Sequence, residues 1–150
     1  MTAQLPPPLR AFTWRTVTGD DDLPDDRFAD HINNARYFHY INRCFRGWYT
    51  AMGIRDATLT HTAVMARTEY DFLREVKPPS WVECRMNVVR VGRSSMDHVI
   101  EIYDLGLGVT GQPQLAGRGK VSHVWIDRKT RQSAPWPPEL LALCWQAHGA

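Results

Sequence analysis

At Gly53 the hydrophobic period of this chain changes, and few folds accommodate the change. Before it, Tyr37, Ile41, Cys44, Trp48 and Met52 recur three or four residues apart, with Phe38 and Phe45 beside them. That spacing predicts a helix over Asn34–Met52. Asn33 or Asn34 can cap its start and Gly53 can end it. The run shows little polar face, which predicts a largely buried helix. After Gly53 the period becomes two. Thr62–Leu73, Ser80–Val91, Met96–Leu105 and Gln114–Asp127 read as strands, separated by Lys77-Pro78-Pro79, Gly92-Arg93-Ser94-Ser95 and Gly106–Pro113. Ala11–Val17 alternates too and is read as a first strand. A short helix is expected from Glu139 to about Ala147. Four strands joined by short connections favour an antiparallel sheet. A helix that is mostly apolar must then be covered by that sheet. The expected architecture is α+β, a curled antiparallel sheet wrapped around one long central helix. Another α+β roll also fits the pattern.

Length and composition narrow the classes further. The 150 residues suit one domain, read here as an extended N-terminal arm (1–10) followed by a single domain (11–150). The apolar fraction, 43 %, is enough for a core without staples. A formal net charge of +2, with no basic block, argues against nucleic-acid or anionic-membrane partners. The apolar runs are too short to span a bilayer, and the proline-rich start lacks the apolar centre of a signal peptide. Cys44, Cys84 and Cys144 are odd in number and far apart, which argues against a disulfide framework or a zinc site. A cytoplasmic setting is expected.

Several short segments carry a family resemblance. Asp30-His31-Ile32-Asn33-Asn34-Ala35-Arg36-Tyr37 resembles the loop-to-helix junction of the 4-hydroxybenzoyl-CoA thioesterase-like family, which commonly has a histidine, one residue, two asparagines and a tyrosine there. Glu69–Val76 resembles the family's strand ending in an aromatic and Leu-Arg. Val89–Ser95 resembles its Gly-Arg-Ser-Ser turn, His123–Asp127 its last strand, and Pro138-Glu139-Leu140 its closing helix. The resemblance runs from about residue 11 to 142. It implies the hotdog fold, hydrolysis of an acyl-CoA or acyl-carrier-protein thioester, and a homodimer or homotetramer with shared active sites. No cofactor is implied beyond the coenzyme A of the substrate. Many relatives carry an aspartate four residues before the position of His31; here that residue is Arg27. Others carry an acid inside the helix; here Ala35–Met52 has no Asp or Glu, and Asn42 stands where many relatives have Glu.

Thioester hydrolysis needs an activated water or a carboxylate nucleophile, and a polarised carbonyl. A helix N-terminus offers free N–H groups and a positive dipole end, so the amides around Asn34, Ala35, Arg36 and Tyr37 are candidate oxyanion donors. His31 precedes that terminus, and an ordinary pKa of ~6.5 suits a general base. Asp30 or Asp26 can orient His31 or activate water. Asn33 or Asn34 can place the carbonyl or the water. The plainer alternatives are that an asparagine only caps the helix and that the aspartates of residues 20–30 form a solvated acidic loop. Arg90 and Arg93, with Ser94 in their turn, and Lys77 and Arg118 are candidates for the phosphates of coenzyme A. His39, His61, His98, His123 and His148 are read as surface or packing residues, His123 with the option of lining a pocket. They show no metal spacing. Phe38, Phe45, Trp48 and Tyr49 are read as core. Two other functions fit the same motifs: a non-hydrolytic protein binding an acyl thioester or hydrophobic ligand, and a hotdog dehydratase or hydratase.

Overall fold

Five strands form one antiparallel sheet in the order β1-β3-β4-β5-β2. They are β1 (Ala11–Val17), β2 (His61–Phe72), β3 (Trp81–Val91), β4 (Ser95–Gly106) and β5 (Gln114–Asp127). The helices are α1 (Asn34–Met52), α2 (Arg55–Thr60) and α3 (Pro138–Cys144). This is a computed structural model, and it describes residues 9–24, 29–108 and 112–145, with backbone alone at 55–57. The bounds of β1, α1 and β5 match the sequence reading; β3 starts one residue later than expected, and β2 and β4 differ by one residue at both ends. The expected arm falls mostly outside the described residues, as does the end of the last predicted helix. Helix α2 was not anticipated, because six residues are too few to show a helical period.

The sheet holds α1 against its concave face through alternating positions. Val82, Cys84, Met86 and Val88 of β3 and Met96, His98, Ile100 and Ile102 of β4 are all buried. Helix α1 meets them with Tyr37, Tyr40, Ile41, Cys44, Phe45, Trp48 and Met52. Fully burying one such apolar side chain stabilises by roughly 1.5–3 kcal/mol. Specific contacts set the helix in place: Trp14 and Tyr40 rings lie 6.1 Å apart, and Phe45 meets His98 edge-on at 4.7 Å. Gly47 faces Phe12, whose ring would lie 2.8 Å from an added Cβ, so helix and β1 approach closely there. Asn33 caps α1 by accepting from the Ala35 amide at 3.0 Å, and Gly53 ends it with φ 67°. The expectation of a largely buried α1 is corrected. His39, Asn42, Arg43, Arg46 and Thr50 form an exposed polar stripe, because a single sheet covers only one side of a helix.

Strands β2 and β5 run in close register, with one bulge between Met65 and Arg67. Gly119 sits where β5 crosses Glu69 and Tyr70, and an added Cβ would overlap the Glu69 carbonyl oxygen. A backbone atom cannot rotate away as a side chain can. Gly119→Ala is therefore expected to cost about 2–3 kcal/mol by overpacking, read from urea unfolding. An unchanged midpoint would show that the two strands can separate freely at this point.

Candidate active site

The loop that feeds α1 is pinned by a buried carboxylate. Asp22 accepts hydrogen bonds from the Gly19 amide at 2.9 Å, the Tyr40 hydroxyl at 2.5 Å and the Arg36 Nε at 2.9 Å. Burial alone would raise its pKa, but Tyr40, the Gly19 amide and Arg36 together hold it below the usual carboxylate range. The Asn33 amide also donates to the Asp22 carbonyl at 2.8 Å. Part of the acidic loop is thus a structural clasp rather than a solvated stretch. Sequence reading missed it because the partners lie 14 and 18 residues away.

Beyond the clasp, the Ile32 amide donates to the Val76 carbonyl at 2.9 Å, which ties this loop to the segment after β2. The tie brings His31 beside Glu75. A recess of about 260 Å³ opens there, lined by His31, Asn34, Tyr37, Phe72 and Glu75 among others. His31 Nδ1 lies 3.0 Å from the Ile32 carbonyl oxygen. A carbonyl only accepts, so Nδ1 carries the proton and Nε2 is left as the basic nitrogen. Nε2 lies 3.9 Å from Glu75 Oε1. Tyr37 is buried, and burial pushes its pKa up to about 12, with Asp104 and Glu75 adding to the effect; the phenol stays protonated near neutrality.

The structure brings together only some of the residues singled out from sequence. His31, Asn34 and Tyr37 share the recess. Asn33 is the helix cap, and it also takes the Ala35 amide through its side chain and the Arg36 amide through its carbonyl. Those two amides are therefore already engaged. The Arg36 guanidinium belongs to Asp22. Asp30 is exposed and pairs with Lys77 at 3.1 Å; that lysine holds its carboxyl below the usual range. Asp26 lies outside the described residues, as does Arg27. Arg90 donates to Asp97 at 2.6 Å and to Ser95 at 3.0 Å. Arg90, Arg93 and Ser94 sit at the opposite end of the sheet. Along β4 that is roughly 30 Å from Asp104, at about 3.3 Å per residue. Asp104 lines a second opening of about 490 Å³, which adjoins the first through Arg74 and Glu75 and includes Lys77. The cations near His31 are thus Arg74 and Lys77. Glu75 was missed as a site residue, since nothing local marks a carboxylate 44 positions from the histidine it meets. Among the described residues no group of three His, Cys, Asp or Glu is placed to hold a metal ion. Among the described residues no helix is long and apolar enough to cross a membrane. All three cysteines are free and buried.

A five-stranded antiparallel sheet curled around one long helix, with a polar recess at that helix's N-terminus, defines a hotdog-fold protein. The chain belongs to the thioesterase-like superfamily, whose family profile matches residues 17–143. Solved structures share the fold. A 4-hydroxybenzoyl-CoA thioesterase variant complexed with 4-hydroxybenzoyl-CoA superposes with a TM-score of 0.78 at 12 % identity, over 90 % of this chain and 99 % of that one. A 1,4-dihydroxy-2-naphthoyl-CoA thioesterase from Synechocystis gives 0.74 at 14 % identity, over 93 % and 99 %. A candidate thioesterase from Pseudomonas aeruginosa gives 0.74 at 23 % identity, over 87 % and 95 %. Curated proteins offer no match to the sequence.

Proposed function

We propose that this protein hydrolyses an acyl-CoA or acyl-carrier-protein thioester to the free acid and thiol. The observation that carries the reading is the convergence of His31 Nε2 and Glu75 in a recess at the positive end of α1. In this reading His31 Nε2 takes a proton from water as the water oxygen attacks the thioester carbon. Negative charge then grows on the carbonyl oxygen, where the helix dipole and the Tyr37 hydroxyl can oppose it. The C–S bond breaks, and the imidazolium returns its proton to the departing thiolate. Glu75 opposes the positive charge on His31 while it lasts, standing in for the aspartate that many relatives carry where this chain has Arg27. Asn34 orients the carbonyl, and Arg74 and Lys77 suit phosphates of a coenzyme A tail. That two similar folds are thioesterases of acyl-CoA substrates supports the substrate class. The test is thiol release from a panel of aliphatic and aryl acyl-CoAs. Steady release from at least one member is expected, and the absence of release from all, together with all acyl-carrier substrates, would end the proposal.

Three observations favour a non-hydrolytic binder instead. The buried Asp22 is fully engaged, α1 carries no acid, and His31 and Glu75 stand 3.9 Å apart without a direct hydrogen bond. Tight binding of an acyl-CoA without release of thiol would select that reading.

The same reading includes a homodimer, possible also as a pair of dimers. Strand β2 ends the sheet and pairs only with β5 among the described residues, and Phe38 of α1 and Val64 of β2 are 36 % and 37 % exposed. Unprotected edges of this length are usually paired or covered. Sedimentation at micromolar concentration is expected to give twice or four times the chain mass; a monomer would remove any shared active site.

A further inference from the structure

Beside His31 one lysine stands between two carboxylates. The loop before α1 and the segment after β2 are each plugged into the core by one apolar side chain, Ile32 and Val76. The Ile32 amide joins the two plugs, donating to the Val76 carbonyl at 2.9 Å. Val76 points inward, and its two neighbours, Glu75 and Lys77, are exposed and line one opening. Residues two apart along a chain are separated by at most about 7 Å, a gap that the four-carbon stem of a lysine spans. Lys77 is thus within reach of Glu75 on its own segment and of Asp30 across the gap between the segments. It takes Asp30, at 3.1 Å. Glu75 is left with the imidazole of His31, whose Nε2 lies 3.9 Å from its Oε1, and pairs with no lysine or arginine among the described residues.

That choice of partner matters for the histidine. An ammonium placed on Glu75 would cancel the negative charge that opposes an imidazolium on His31, and it would draw the carboxylate away from the ring. We propose that Asp30 is a positioning residue: by holding Lys77 it keeps the lysine off Glu75 and leaves that carboxylate facing His31. The inference rests on the reading of His31 and Glu75 as the working pair of a hydrolase. Asp30 does not line the recess at His31, so its effect passes through the lysine rather than through a contact with the imidazole or with water. An exposed ion pair adds little to stability, and the Asp30 and Lys77 side chains are 75 % and 62 % exposed. Breaking the pair therefore leaves the fold intact and changes only which carboxylate the lysine meets.

The test uses the full chain and the N-acetylcysteamine thioester of the acyl group that the panel shows to be released fastest. That substrate carries no phosphate, so any part Lys77 plays toward a coenzyme A tail does not enter. Asp30→Asn is expected to lower kcat by about fivefold, most of the way to Glu75→Gln, with KM changed by less than about twofold. Asp30→Glu, which can still hold the lysine, is expected to keep the natural turnover. Asp30→Asn combined with Lys77→Gln is expected to bring kcat back to within about twofold of the natural chain, because no ammonium is left to take Glu75. A crystal structure of Asp30→Asn is expected to place Lys77 Nζ within hydrogen-bond distance of the Glu75 carboxylate. The proposal is overturned by natural turnover in Asp30→Asn, by a double variant as slow as the single one, or by a crystal structure in which Lys77 stays away from Glu75. Failure of the underlying reading shows differently: the natural chain then releases no thiol, or Glu75→Gln is fully active, whatever the Asp30→Asn structure shows of Lys77.

Discussion

His31→Ala is expected to lower thioester turnover by at least about tenfold, at the shallow end of the ~10²–10⁴-fold that general-base removal usually costs. Glu75→Gln is expected to lower it by about tenfold as well. The double variant should be little worse than His31→Ala, because Glu75 acts through the imidazole and groups that work as a unit are not additive. Neither change should harm the fold. The His31 side chain is 31 % exposed and the Glu75 side chain 64 % exposed, so little packing is lost with them. The structural alternative for His31 predicts the opposite pattern: a lower melting temperature with near-normal activity per folded molecule. Measuring turnover and melting temperature on one preparation separates the two. A stable, fully active His31→Ala protein would remove His31 from catalysis, and a fully active Glu75→Gln protein would leave the missing carboxylate to be found in residues 25–28.

The second large effect is on stability in acid. His98 lies wholly inside the core, packed by Phe45, Trp48 and His123, and neither ring nitrogen makes a well-formed hydrogen bond. Burial, with a smaller contribution from His123, pushes its pKa down to about 3; Asp97 and the Val121 backbone act weakly the other way. The unfolded chain takes up this proton below about pH 6.5, whereas the folded chain resists until about pH 3. Between those values the unfolded state binds more protons, so stability falls as pH falls. The slope from His98 alone approaches roughly 1.4 kcal/mol for each pH unit in the middle of that window. His123 adds in the same direction down to about pH 4. His98→Leu removes the titrating group and two poorly satisfied nitrogens while keeping the volume filled. Urea unfolding between pH 7.5 and 4.5 is expected to show a clearly shallower loss for the variant than for the natural chain. Equal slopes would mean that His98 is not protonated in the unfolded state over this window or is not buried in solution.

Asp97, next to His98 on the other face of β4, works in a lower range. Arg90 chiefly, and then Ser122 and Lys120, hold its carboxyl far below the usual range against the opposing effect of burial. Its stabilisation is present above the ordinary carboxylate pKa and is lost only in stronger acid. The histidine effect is therefore readable without it at pH 4.5 and above.

The amino-acid order by itself determined the five strands and helices α1 and α3 and their sequence, but not the six-residue α2. Helix α1 and strands β1 and β5 came out with the right ends because period, cap and turn residues are local signals read over a few neighbours. An antiparallel sheet covering one helix followed from the pattern, which also fitted another α+β roll; the family resemblance pointed to the hotdog, and only the tertiary structure set β2 beside β5 rather than beside β3. His31, Asn34 and Tyr37 were legible because they lie within seven residues at a helix start. Only the tertiary structure decided the rest. It turned Asp22 inward to clasp Arg36 and Tyr40, occupied Arg90 with Asp97, and set Glu75 beside His31. It also exposed the polar stripe of α1, and it buried His98 and His123, which local pattern had left as surface or packing residues. Each of these depends on groups far apart in the chain meeting where water is excluded. Charge, hydrogen bonding and burial there are set by which strand crosses which helix, and no local window of sequence contains that information.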